Sequence, residues 1–245
     1  DYTASLVAAA LNANALEIWT DVDGVMTCDP KKVKKAFTIQ EMSYEEAMEM
    51  SHFGAKVIYA PTIAPVKIRR IPIYIKNSFN PTFTGTKIHY RPSTKKDAGP
   101  LKAISSLSKI ALISLQGSGL QGVPGIAARM FQSLSSQRIN VIMITQASSE
   151  QSICIGVSSD DIEPAKNALS TAFDYEIKRK QIDPVQIEDQ LSLIAIVGDN
   201  MQHSPGVAGR LFRALGKNGI NVEAIAQGSS ERNITFAIKS KDNDK

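Results

Sequence analysis

The 245-residue sequence has two cysteines, Cys28 and Cys154, far apart and without a Cys-x-x-Cys pair. That excludes a disulfide framework and a thiolate metal centre, and it predicts reduced thiols in a reducing, cytoplasmic setting. Its three histidines, His52, His89 and His203, form no ligand-spaced group, so no metal site is expected. No apolar run approaches the ~18 residues a membrane span requires, so no membrane partner is expected. A large excess of one charge sign is missing too, with 28 basic against 24 acidic residues. The net charge is +4, and the densest basic run, KKVKK at 31–35, reads as a solvated loop or helix start rather than a nucleic-acid contact. An initiator Met is missing, and DYTASLVAAALNA enters a helical pattern without a cap or a preceding strand. Together with a shortened C-terminal unit, this start suggests a fragment of a longer protein, in which the lack of a targeting peptide says nothing.

What is present is an ordinary globular composition, 43% apolar and 21% charged, in a chain long enough for about two domains. The C-terminal half is organised by an internal repeat. Sliding the chain by 205 − 124 = 81 residues lays Ile110–Val157 on the segment starting at Leu191 without a gap, with 19 of 48 positions identical. An ungapped repeat of this kind signals a duplicated supersecondary unit. Each copy has an apolar run (Ile110–Gln116; Leu191–Val197), a loop, and a Pro-Gly pair. A helical pattern then places Val123, Ile126, Ala127, Met130, Phe131 and Leu134, or Val207, Ala208, Leu211, Phe212 and Leu215, on one face. Pro124 and Pro205 are expected in the first helical turn, with Ser204 as an N-cap. Two β-rich runs follow in each copy, INVIMITQ and SICIGV, then INVEAIAQ and NITFAI.

The first copy continues into a helix near Asp161–Phe173 and an expected strand at Tyr175–Arg179, which completes the βαββαβ order of a ferredoxin-like fold. The second copy stops at SKDNDK without its second helix. Upstream, residues 2–13 read as a helix, LEIWT (16–20) as a strand, and DVDGVMTCDP (21–30) as a loop. SYEEAMEMSHFGAK (43–56) reads as a helix with a Ser cap, an acidic first turn and a C-cap at Gly54. TIAPVKIRR reads as a short helix or a turn, IPIYIKN (71–77) as a strand, and NPTFTGT (80–86) as a loop. The domains expected are 1–90, a linker at 91–100, 101–183, and a truncated 184–245, with LKAISSL (101–107) pairing with the second copy's sheet.

EIWTDVDGVMTCDP, followed by SYEEAMEMSHFGAKV and IYIKNSFNPTFTGT, resembles the C-terminal part of the aspartate kinase catalytic domain. The repeat, with ITQASSE and IAQGSSE, is similar to the paired ACT domains that follow it, most of all in threonine-sensitive forms, including those fused to homoserine dehydrogenase. The resemblance covers essentially the whole chain. It implies an α/β part of an amino-acid-kinase domain joined to α+β tandem ACT domains. The implied activity is phosphorylation of the side-chain carboxylate of L-aspartate by ATP with Mg²⁺. That is the first step toward lysine, methionine and threonine, under feedback by an amino acid, threonine rather than lysine. A homo-oligomer formed through the ACT domains is implied as well. The family's KFGGTS-like motif and its arginine–glycine stretch before SDYTA are not in this sequence, so the chain alone is expected to be inactive.

By the same match, Thr20, Asp21, Met26, Lys31, Lys56 and Val57 are nucleotide contacts, and Asp1 is the aspartate of the catalytic site. Lys31 stands where the family usually has Arg, keeping charge but losing bidentate geometry. Met26 replaces a common aromatic, and IYAPT (58–62) departs from the family's HPRT-like run. For the effector, the Gly117–Gly125 loop, with Gly119 and Pro124, runs into a helix N-terminus able to take a carboxylate. Gln146 and its repeat mate Gln227 match the relatives' effector-contacting glutamine, and Asn140 and Asn221 precede strands at matched positions. Taken singly, each piece has a plainer reading: TDVDG as an Asp-rich turn, Lys56 as a solvated helix-end lysine, the asparagines as turn residues, Ser-Ser-Glu as a hairpin tip. The competing function is a stand-alone amino-acid-binding module without catalysis. RNA binding is discounted, because VIMITQ and VEAIAQ present no aromatics for base stacking.

Overall fold

The computed structural model describes residues 1–53, 57–90, 99–146, 151–201, 204–228 and 232–243. Two sheets organise them. The first has the order β1-β3-β4-β2 and is built from β1 (Leu16–Thr20), β2 (Glu41–Ser43), β3 (Ile73–Asn77) and β4 (Thr86–His89). The β1–β3 and β2–β4 pairs are parallel, and β3–β4 is antiparallel. Helices α1 (Tyr2–Ala10), α2 (Tyr44–His52) and α3 (Ile63–Arg69) belong to this layer, and its core includes Ile18, Met42, Tyr44, Ile63, Val66, Ile73, Ile75 and Ile88. With three and four residues, β2 and β4 are too short to show an alternation, so the sequence reading contains neither.

α2 begins where Ser43 predicts. The Ser43 hydroxyl accepts from Glu46 N at 3.0 Å, and the Glu46 carboxylate accepts from Ser43 N at 2.9 Å, a reciprocal capping box. α2 ends earlier than expected, at His52, with Phe53 and not Gly54 as its C-cap; Gly54 itself and most of the 91–100 linker lie outside the described residues.

The second sheet has the order β6-β7-β5-β8-β10-β9, with every pairing antiparallel. Its strands are β5 (Ala103–Gln116), β6 (Met143–Gln146), β7 (Ser152–Ser158), β8 (Gln186–Val197), β9 (Ala224–Ala226) and β10 (Asn233–Lys239). β5 and β8 each run through both repeats. Ala103–Ser108 pair with Ser192–Val197, which β10 flanks, whereas Ile110–Ser114 pair with Gln186–Leu191 and, on their other side, with β7. Helices α4 (Ile126–Ser136), α5 (Ile162–Ala172) and α7 (Val207–Lys217) cover one face of this sheet through Met130, Leu134, Leu169 and, in the second repeat, Val207. On the other face Leu112, Met143, Leu193 and Ala237 form a smaller core, and the two edge strands β6 and β9 come into contact.

Two local expectations are corrected. Tyr175–Arg179 is not a strand: Asp174–Lys178 forms a short helix, α6, with an Asp174–Lys178 ion pair at 2.8 Å and Ile177 against the first repeat's core. The strand position beside β5 is filled by the first half of β8, with Ile187 opposite Ile113. Pro124 and Pro205 do not open their helices, and Ser204 is not a cap. The N-caps are Gly125 and Gly206, at φ 89° and 84°, and the Ser204 hydroxyl instead donates to Asn200 O. A left-handed turn is needed to bring the loop onto the helix axis, and glycine takes it without a Cβ penalty.

The two sheets share a core, because Ala103, Ala195 and Val197 of the second pack into the cluster of the first. Three hydrogen bonds lock the junction: Ile104 N to Thr27 O (2.8 Å), Ser105 Oγ to Phe53 O (2.6 Å), and Asp199 N to Glu46 Oε1 (3.0 Å). Among the described residues no helix is long and apolar enough to cross a membrane.

Candidate functional site

The first candidate site lies where the parallel strands β1 and β3 end side by side, with Thr20 opposite Asn77. Ligand contacts in α/β sheets gather at such carboxyl ends. The chain leaves β1 into a long loop that is pinned at two points. Asp23 accepts from the side-chain amides of Asn77 (2.8 Å) and Asn80 (3.2 Å). The buried Thr86 hydroxyl accepts from Val25 N (2.8 Å) and donates to Ile39 O (2.6 Å). Between these points Gly24 has φ 107°, and a Cβ there would stand 2.5 Å from Thr86 Oγ1.

The nucleotide residues expected from the sequence fall around this loop. Thr20 donates to Asp21 Oδ1 at 3.1 Å, and Met26 bridges to Thr38. Lys31 is exposed, its backbone N–H held by Asp29 at 2.9 Å. Val57 is half-buried against the core of the first sheet, and Lys56 lies outside the described residues. Asp1 is exposed at the start of α1 and makes no side-chain cap bond. Asp23, Asn77, Asn80 and Thr86 were not singled out from the sequence. The bonds joining them to the loop span 47 to 61 residues, so no local pattern reveals them. Among the described residues no group of three or more His, Cys, Asp and Glu could hold a metal ion.

The second candidate region is the helix-free face of the six-stranded sheet, which carries two cavities. The larger, about 580 Å³, is lined by Ser114, Thr145, Ser152, Cys154, Glu188 and Glu223, among others. Burial pushes the Cys154 thiol up, and the Ser114 hydrogen bond offsets this only in part, so it is a poor nucleophile at neutral pH. The smaller, about 470 Å³, is lined by Phe53 and by residues of both repeats, and it brings Gln146 and Gln227 together.

The other effector candidates line neither cavity. Gly119 donates to Gln181 O at 2.8 Å, and a Cβ there would lie 2.8 Å from the Gln181 side chain, so close packing accounts for it. Pro124, Asn140 and Asn221 are exposed, and both Ser-Ser-Glu triplets lie outside the described residues.

Residues 1–77 match the Amino acid kinase family, and residues 113–173 and 194–245 match the ACT domain. A bifunctional aspartokinase/homoserine dehydrogenase from Haemophilus influenzae is 44% identical over 97% of this chain and 29% of its own length. The chain belongs to the aspartate kinase family. Among solved structures, the aspartate kinase of Clostridium acetobutylicum superposes with a TM-score of 0.87 at 28% identity, over 99% of this chain and 55% of its own. E. coli aspartokinase III in complex with aspartate and ADP superposes with a TM-score of 0.82 at 28% identity, over 99% and 53%. The chain thus spans under a third of the bifunctional relative and about half of each solved aspartate kinase.

Proposed function

We propose that this chain supplies part of the nucleotide site and the regulatory portion of an aspartate kinase, in which the γ-phosphoryl group of Mg-ATP passes to the side-chain carboxylate of L-aspartate. The observation that carries this reading is the pinned loop at the carboxyl ends of β1 and β3. Phosphoryl transfer asks the protein mainly for positioning and charge stabilisation rather than covalent chemistry, and a loop held at both Asp23 and Thr86 is preorganised for that work. Thr20 and Asp21 contact the nucleotide, Lys31 offers charge to its phosphates, Met26, Lys56 and Val57 complete its surroundings, and Asp1 acts at the catalytic site. The family's complex with aspartate and ADP supports the choice of substrates. The two cysteines, reduced and unpaired, suit a cytoplasmic enzyme.

The ACT portion binds an amino-acid effector, threonine in preference to lysine, through Gln146 and Gln227. Association between copies through the ACT portion belongs to the same reading. Steady-state kinetics on the full-length protein test the catalytic part. Lys31→Ala should raise KM for ATP roughly tenfold, the scale of one lost charge-assisted hydrogen bond, with KM for aspartate within about twofold. An unchanged KM for ATP would remove Lys31 from the site.

A further inference from the structure

The loop after β1, which carries Met26 and Lys31, is a narrow hairpin. Val25 O accepts from Ile39 N (2.8 Å), Met26 bridges to Thr38, and Thr27 N donates to Phe37 O (2.9 Å). Its tip holds the Asp29 turn that presents Lys31. Opposed residues of an antiparallel ladder that make one hydrogen bond ordinarily exchange the second as well. Thr27 and Phe37 do not. Phe37 N donates to the Thr27 hydroxyl (3.3 Å) in place of the Thr27 carbonyl, and that carbonyl accepts from Ile104 N on β5 (2.8 Å). The threonine side chain stands in for its own backbone, and the backbone oxygen goes to the other sheet.

β5 can receive it because one of its sides is only half covered. β8 pairs with β5 from Ala103 to Ser114, but on the other side β7 spans only Ile110–Gln116. Among the described residues no strand pairs with Ala103–Ser108 on that side, and an N–H on an open edge needs an acceptor. The hairpin supplies one to Ile104. At Ser106 the Lys32 ammonium donates to the hydroxyl (3.0 Å), so Lys32 is more than a solvated member of KKVKK. Between these contacts the buried Ser105 hydroxyl donates to Phe53 O at the end of α2 (2.6 Å). Consecutive residues of β5 thus hold both elements that carry nucleotide residues in the reading above: the hairpin with Met26 and Lys31, and the end of α2 just ahead of Val57.

We propose that Thr27 and Ile104–Ser106 are positioning residues for the nucleotide, Thr27 docking the Lys31 hairpin onto the open edge of β5 and Ser105 fixing the end of α2 against the same strand. They act through the hairpin tip and through Val57 rather than by touching the nucleotide. The proposal rests on the nucleotide reading above. It adds that a central strand of the second sheet sets the spacing between the two flanks of that site, with no effector bound.

The test is steady-state kinetics on the full-length protein, with aspartate as the only amino acid present, for wild type, Thr27→Val, Thr27→Ser, Ser105→Ala and Lys31→Ala. Valine matches threonine in shape and suits an extended segment, so Thr27→Val removes the hydroxyl alone. Phe37 N then takes the Thr27 carbonyl, and the hairpin lets go of Ile104. We expect KM for ATP to rise roughly three- to tenfold in Thr27→Val and in Ser105→Ala, the range of one net hydrogen bond. kcat and KM for aspartate should stay within about twofold. Thr27→Ser, which keeps the hydroxyl, should restore the wild-type KM. Amide exchange should quicken at Ile104 in Thr27→Val and not at Phe37. A KM for ATP within about twofold of wild type in either Thr27→Val or Ser105→Ala overturns the proposal, whatever happens to the denaturation midpoint. So does an equal rise in both KM values, or a Thr27→Ser no better than Thr27→Val. If Thr27→Val does not fold, Ser105→Ala decides. A raised KM for ATP in Lys31→Ala beside unchanged Thr27→Val and Ser105→Ala overturns this proposal alone, whereas an unchanged KM in all three takes the hairpin out of the nucleotide site as well.

Discussion

Lys109 and Gln190 hold the same left-handed backbone conformation, φ 61° and 58°, at equivalent points of β5 and β8, 190 − 109 = 81 residues apart. Both lie where the β5–β8 register slips, between Ser108 and Leu112 on one strand and between Leu191 and Glu188 on the other. Each is the point at which a long strand leaves one repeat's sheet and enters the other's. Bulges of this kind bend a strand and raise its twist. With one in each central strand, the sheet curls enough for its edges β6 and β9 to meet, and that contact is what encloses the cavity between the repeats.

Neither residue is glycine, so each bears the steric cost of left-handed backbone, about 1–2 kcal/mol. Lys109→Gly and Gln190→Gly should each leave stability unchanged or raise it by up to about 1 kcal/mol. Lys109→Val should lower it by about 1–2 kcal/mol, since a β-branched side chain tolerates this conformation least. Urea denaturation midpoints measure all three. Equal destabilisation by Gly and Val would mean that the lysine side chain, rather than the backbone, is what matters at this bulge.

Glu46 is 3% exposed and places one carboxylate oxygen on Ser43 N and the other on Asp199 N. It thus starts α2 and ties α2 to the end of β8. Glu46→Gln can keep the capping box through its carbonyl oxygen but must turn its NH₂ group toward Asp199 N, leaving a buried donor unpaired at about 1–3 kcal/mol. The expected result is a lower denaturation midpoint and faster amide exchange at Asp199, with exchange in the first turn of α2 unchanged. Loss of protection at both sites alike would show that the cap, and not the junction, had failed.

Tyr44 is fully buried, and its hydroxyl donates to Ile71 O at 2.6 Å. Burial, with the Glu45 charge adding to it, pushes its pKa up from 10.0 to about 12. Because the folded value lies above the unfolded one, the tyrosine's contribution is complete below pH 10 and drains away as pH rises toward 12. The two-unit shift corresponds to roughly 2–3 kcal/mol. Tyr44→Phe should cost about 1 kcal/mol at neutral pH by stranding the Ile71 carbonyl. It should lose less stability than wild type between pH 10 and 12, so the two stability curves converge or cross. Parallel curves in that range would show that the phenol titrates no differently in the folded state.

Parts of this architecture are written locally. SYEE suffices for the α2 start, because all four partners of a capping box lie within one helical turn. The 81-residue repeat is visible in any self-comparison, and the helical faces of α4 and α7 follow from spacing alone. The loop at Asp21–Pro30 is equally plain, but its anchors are not. Asp23 is bonded to amides 54 and 57 residues away, and nothing around Asn77 or Asn80 marks them as its partners.

The sequence by itself determined the elements that depend on neighbours within a few residues: helix periodicity, the Ser43 cap, and the duplicated order of strand and helix. Tertiary structure alone decided which strand fills which place. Tyr175–Arg179 has strand-forming residues, yet the position beside β5 goes to Gln186–Gln190, because that segment is continuous with the second repeat's first strand and bonds to β5 along its length. The meeting of Gln146 and Gln227 was decided in the same way. Their local sequences mark them as equivalent, but only the curl imposed at Lys109 and Gln190 puts them on the wall of one cavity. Hydrogen bonds between strands carry no signature in either strand alone, so a choice among competing partners is settled only when the whole sheet closes.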